Sequence, residues 1–207
     1  MKRSPSSGFS VLELTMAAAL VGILTTLVFG AYAAGLKSMF KSQAQNELLS
    51  ELQVMARRVS NEMQQTSIES VSLSADGEAV SYLTCYDADG IPQLSPGGSP
   101  LWEAYLVVYL DRTIKSVVLN RVDLKNTSPQ RTVPTPIEKF KTGGTTKPIN
   151  SYRNAGRPIA RYIEDLNIEL LPSLPGGYRF SIEAVKPAEG NRSASRSSMV
   201  FTVVVRN

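Results

Sequence analysis

Between Leu14 and Leu36 the chain runs for 23 residues without a charged side chain. Leu20, Val21, Ile23, Leu24, Leu27, Val28 and Phe29 make this run apolar on every side. As a helix it spans roughly 35 Å, enough to cross a hydrocarbon layer of about 30 Å. One carboxylate, Glu13, stands just inside the apolar boundary. The small-residue junction Gly8-Phe9 lies shortly before it, and Lys2 and Arg3 precede the junction in a polar leader. A charge at the centre of a membrane helix costs on the order of 3 kcal/mol, and less near an end. A carboxylate in that position needs a partner.

Two plainer accounts of this stretch compete. Ala31-Tyr32-Ala33 is a small-x-small site of the kind cut in secretory signal peptides. The apolar run before it exceeds the roughly 7–15 residues of such signals, however, and Glu13 interrupts its start. A simple membrane anchor would instead let Glu13 snorkel to the interface. The charge rule does not orient the span, because Lys37 and Lys41 follow it as closely as Lys2 and Arg3 precede it.

The combination of Gly8, Phe9, Glu13 and the apolar run resembles the signal of type IV prepilins and of the pseudopilins of type II secretion. That resemblance implies a leader of residues 1–8, cleavage between Gly8 and Phe9 by a prepilin peptidase, and N-methylation of Phe9. Glu13 becomes the fifth residue of the mature chain and the residue that directs assembly. It also implies a single pass through the inner, cytoplasmic membrane, with the head on the far side and later carried in a filament. The motif covers about the first fifth of the chain.

Composition narrows the remaining chemistry. The net charge is +4, two of those charges lie in the leader, and this mild balance does not by itself imply nucleic acid. The chain has no histidine, which removes the usual general base and the commonest zinc ligand together. Cys85 is the only cysteine, so the chain cannot form an internal disulfide. It reads as a small apolar residue buried in a strand. No phosphate-binding glycine loop or metal-ligand spacing is visible, and no cofactor is expected. The chain therefore reads as a non-enzyme.

No proline occurs between Pro5 and Pro92, so nothing forces the helix to stop where the apolar run ends. Leu48, Leu52, Met55, Val59 and Met63 continue at spacings of three and four, which predicts an amphipathic extension over residues 37–67. From Ile68 the period changes to two, and residues 68–207 read as a β-rich head. Expected strands are Val80–Tyr86, Trp102–Leu110, Ser116–Val122, Ile159–Leu171, Tyr178–Val185 and Met199–Val205, the last in the middle of the sheet. The fold class is α+β, a long helix packed on one antiparallel sheet.

Residues 125–158 are the least regular part, broken by five prolines and three glycines. Lys125, Arg131, Lys139, Lys141, Lys147, Arg153 and Arg157 there face only Glu138. Such a loop offers a contact for an acidic partner, through Arg131, Lys139, Lys141, Lys147, Arg153 and Arg157, or is simply a solvated loop. With Phe140 and Tyr152 as its aromatics it is a poor stacking platform, so nucleic acid is disfavoured. The Asp87-Ala88-Asp89-Gly90 turn lacks the glutamate of a calcium loop.

The head pattern is similar to the larger minor pseudopilins and minor pilins, the J-type and W-type subunits. Shared features are the Tyr82–Tyr86 strand with its Asp-Gly turn, a Trp-led strand ending in Tyr109-Leu110-Asp111, and a terminal strand ending in Arg206-Asn207. The K-type tip subunit lacks the glutamate that this chain has in Glu13. This resemblance implies a pilin-like fold and a structural subunit near the tip of a pseudopilus or pilus. Its partners would be other minor and major subunits, the peptidase and an inner-membrane assembly platform. Two alternatives from other classes stay open: a tethered extracytoplasmic binding module for DNA uptake or adhesion, and an anchored hydrolase using paired carboxylates.

Overall fold

The computed structural model describes residues 10–125, 127–142, 144–187 and 194–205. Its first element is one uninterrupted helix, α1 (Val11–Gln64). By contacts the chain divides into residues 1–43 and residues 44–207.

In the first unit the helix is long and apolar enough to cross a membrane, and none of its apolar window is buried inside the protein. A core helix of the same composition would be covered. Leu20 is 60% exposed and Phe29 67%. The threonine hydroxyls in this stretch are satisfied internally. Thr25 and Thr26 donate their hydroxyls to the carbonyls of Val21 (2.7 Å) and Gly22 (2.9 Å), and Thr15 donates to that of Leu12 (2.9 Å). Back-bonding of this kind removes the need for water, which suits a hydrocarbon surrounding.

The second unit begins with the rest of α1, where Leu48, Leu52, Met55, Val59 and Met63 form a stripe no more than 1% exposed. A 3-10 turn at Ile68–Ser70 leads into antiparallel strands. The strands are β1 (Ser72–Leu73), β2 (Ala79–Thr84), β3 (Ala104–Asp111), β4 (Ser116–Asp123), β5 (Lys141–Thr142), β6 (Thr145–Thr146), β7 (Arg157–Arg161), β8 (Ile163–Leu170), β9 (Gly177–Lys186) and β10 (Ser195–Val204). The architecture is α+β, a long apolar N-terminal helix with antiparallel sheets, as the change of hydrophobic period implied.

The sheet is divided where one was expected. β1-β2-β3-β4-β7 form one sheet, β10-β9-β8 a second, and β5-β6 a small hairpin. The single strand expected over Ile159–Leu171 breaks at Tyr162, which takes a φ of +62°. A bulky residue in the left-handed region turns the strand sharply, so its two halves enter different sheets. The junction is held by hydrogen bonds from Ile163 N to Lys115 O (2.8 Å) and from Val185 N to Tyr162 O (2.7 Å). The stripe of α1 joins one core with inward residues of both sheets, including Tyr82, Leu106 and Leu119 from the first and Ile168, Phe180 and Val203 from the second.

The last strand corrects another expectation. Among the described residues β10 pairs with β9 alone, and it lies at an edge of its sheet, not in the middle. Only alternate residues of its β-branched run turn inward, and Val200 remains 63% exposed.

Residues 125–158 also differ from the irregular segment expected of them. Ile137, Phe140, Ile149 and Tyr152 join Ala79, Leu83, Tyr105, Val107 and Tyr109 in a second buried cluster on the other face of the five-stranded sheet. Tyr105 donates its hydroxyl to Thr135 O (2.6 Å), and Tyr109 donates to Ala155 O (3.0 Å). Burial pushes the Tyr105 phenol up to about 12. The segment is a cover for the sheet. Cys85 is buried in the same cluster, and burial raises its thiol above the ordinary value.

Candidate functional site

The residues singled out at the N-terminus are Gly8, Phe9 and Glu13. Gly8 and Phe9 lie outside the described residues. Glu13 sits in the first turn of α1, and its Oε2 accepts a hydrogen bond from Ser10 N at 3.1 Å. Ser10 Oγ in turn accepts from Leu12 N at 3.2 Å, while Ser10 O takes the first helical bond, from Leu14 N. This is a capping box: Ser10 is the N-cap, and the residue three positions on reaches back to its amide. The signature is present in the sequence as Ser10-Val11-Leu12-Glu13 before an apolar run. Glu13 therefore has a neutral donor available within its own chain. A single amide leaves most of the acceptor capacity of a carboxylate open to a cation.

The six basic residues of the covering segment expected to meet an acidic partner do not act as one patch. Arg131 forms an ion pair with Glu103, and the two side chains are only 18% and 16% exposed. Arg153 forks onto Asp76, with Nη1 to Oδ2 at 2.8 Å and Nη2 to Oδ1 at 2.7 Å. Both arginines pin the cover to the sheet beneath it. Lys139, Lys141, Lys147 and Arg157 are exposed. Glu138 accepts a hydrogen bond from the Ser72 hydroxyl. What distance along the chain hid was that Asp76 and Glu103, far upstream, neutralise two of the charges counted against Glu138.

The fork on Asp76 carries a pH signature. Hydrogen bonds from Arg153 hold the Asp76 carboxyl well below the usual carboxylate range, against a smaller opposing effect of burial. A carboxylate depressed below its unfolded value of about 3.9 contributes stability above that pH and loses it as pH falls further. Arg153→Gln is expected to lower stability by a constant amount between pH 5 and 7, and by progressively less on acidification below about pH 4. Urea melts across that range measure the gap. A gap that stays constant down to pH 2.5 would show that the fork makes no such contribution.

Among the described residues no group of three or more Cys, Asp or Glu is placed to hold a metal ion. Asp87 uses its carboxylate on its own turn, accepting from the amides of Asp89 and Ile91 at 2.9 Å each and from Gln93 Nε2 at 2.8 Å. These bonds, that from Ile91 foremost, hold its carboxyl below the ordinary value. No protein-family model, curated protein or solved structure matches this chain.

Proposed function

We propose that this protein is a structural subunit of a pilin-like filament, a minor pseudopilin or minor pilin, held in the inner membrane by α1 until it assembles. The observation that carries the reading is Glu13. It is the only charged residue between Ser10 and Leu36, it lies in the first turn of an exposed apolar helix, and Gly8-Phe9 precede it at the spacing of a prepilin junction. A subunit of this kind needs a span that is stable in lipid yet able to pack against its neighbours. Gly22, Gly30 and Gly35 support that reading, since nothing lies within 4 Å of the position a Cβ would take at each of them. They leave room for another helix to approach closely. In this function Glu13 pairs with the amine of a neighbouring subunit, and the head remains outside the membrane.

The test is the N-terminus of the protein recovered from membranes. It should begin at N-methylated Phe9, and Gly8→Asp should leave uncut precursor in the membrane fraction. A mature chain that begins at Ala34 would mean signal-peptidase cleavage and would end this reading.

A further inference from the structure

A cleft of about 740 Å³ opens between the last turns of α1 and the sheet strands β2–β4, closed at one end by the start of β7. Leu106 and Leu119, each 5% exposed, floor it. Three guanidinium groups line it: Arg58 on α1, Arg121 on β4 and Arg157 on β7. Gly156 places the last of these. At a φ of +134° its missing Cβ would come within 2.6 Å of Leu119 O, so the backbone lies against β4 as only glycine allows.

The hydrogen-bond account of this lining is unbalanced. Glu62 accepts from Arg58 Nε (3.1 Å) and from the Tyr82 hydroxyl (2.9 Å), and Asp87 is occupied by its own turn. Arg121 gives Nε to Asp123 (2.6 Å) and Nη1 to the carbonyls of Tyr86 (3.0 Å) and Asp87 (3.3 Å). That leaves the terminal nitrogens of Arg58, Nη2 of Arg121 and the guanidinium of Arg157 without an acceptor among the described residues. Its i,i+4 ion pair with Glu62 accounts for Arg58 by itself. It does not account for two more arginines, on separate strands, around the same apolar floor.

We propose that this cleft binds an extended acidic peptide segment of another protein, its carboxylates on the three arginines and its apolar side chains on Leu106 and Leu119. Guanidinium groups suit carboxylates because their planar fork donates two parallel bonds. The breadth of the cleft and its apolar floor favour a peptide over a lone small anion, which would leave most of the space and the floor unused. The inference stands on residues 44–207 and needs neither the membrane span nor a filament.

The experiment uses the full chain in a non-ionic detergent and a fluorescein-labelled peptide of alternating Glu and Leu, read by anisotropy. The peptide should bind, more weakly as salt rises, while its Gln-Leu counterpart should not. Arg157→Glu should weaken binding by about tenfold or more with no change in melting temperature, since Arg157 has no side-chain partner to lose. Equal binding of the Gln-Leu peptide, or unchanged binding by Arg157→Glu, would overturn the proposal. So would displacement by millimolar inorganic phosphate beyond that caused by chloride at matched ionic strength, which would make this a small-anion site.

Discussion

Glu13→Val is expected to insert in the membrane and be cleaved like the parent, and then to be absent from filaments. The substitution removes the one charge from the apolar stretch, so membrane solubility improves. On the proposed function, it also removes the acceptor for a neighbour's terminal amine, which is cationic at neutral pH, its unperturbed pKa being about 7.7–8.0. Asp at this position should recover little, being one methylene short. The capping box makes a sharper control available. Gln at the third helical position can still reach the amide of Ser10, because Glu and Gln both serve in that motif. Glu13→Gln therefore keeps the local helix start and loses the charge. If Glu13→Gln restores assembly, the residue acts as a cap and the electrostatic account is wrong. If Val and Gln fail alike while processing stays normal, the charge is what assembly requires. Co-purification with filament partners, alongside mass determination of the mature chain, gives both readouts.

Ile137→Ala should destabilise the head by about 3 kcal/mol, within the roughly 2–5 kcal/mol typical of truncating a buried Ile. Ile137 is fully buried although it lies in a 3-10 turn between two prolines and a run of basic residues. Lys139→Ala, two residues on and exposed, should change stability by less than about 0.5 kcal/mol. Denaturant midpoints of the two variants decide whether residues 125–158 belong to the core or merely lie over it. A cost below about 1 kcal/mol for Ile137→Ala would mean that the sheet does not depend on its cover.

Much of this fold was legible because hydrophobic period is a local property. The helix from the apolar run through Met63, the β3–β4 hairpin around Asp111-Arg112, and the alternation of Tyr105 and Tyr109 against Leu106 and Val108 all follow from spacing within one element. What could not be read depends on a single dihedral angle or on residues far apart in the chain. Tyr162 divides a continuous β pattern in two, and no neighbouring glycine or proline announces it. Ile137 and Phe140, and then Ile149 and Tyr152, are isolated pairs at separate 3-10 turns, too short to show periodicity, so a layer of the core looked like a loop. The ion pairs of Arg131 with Glu103 and Arg153 with Asp76 join segments that local charge counting treats separately. At the candidate site the Gly8-Phe9-Glu13 spacing was visible from the outset. The cleft was not, because its arginines come from a helix and two strands.

The position of β10 bears on the order in which the head can form. Synthesis delivers α1 first, and the stripe from Leu48 to Met63 must wait for Phe180, Ile182 and finally Val203 and Val205 before its cover is complete. Loop closure over that separation is slow relative to formation of the helix itself, so the helix exists with its apolar side open while the strands accumulate. During that interval the five-stranded sheet can already pair, since β1 to β4 follow one another closely. The second sheet then grows outward from β8, and its outermost strand is the last to arrive. Nascent chains halted before Ser195 should therefore be the ones that chaperones hold and proteases remove.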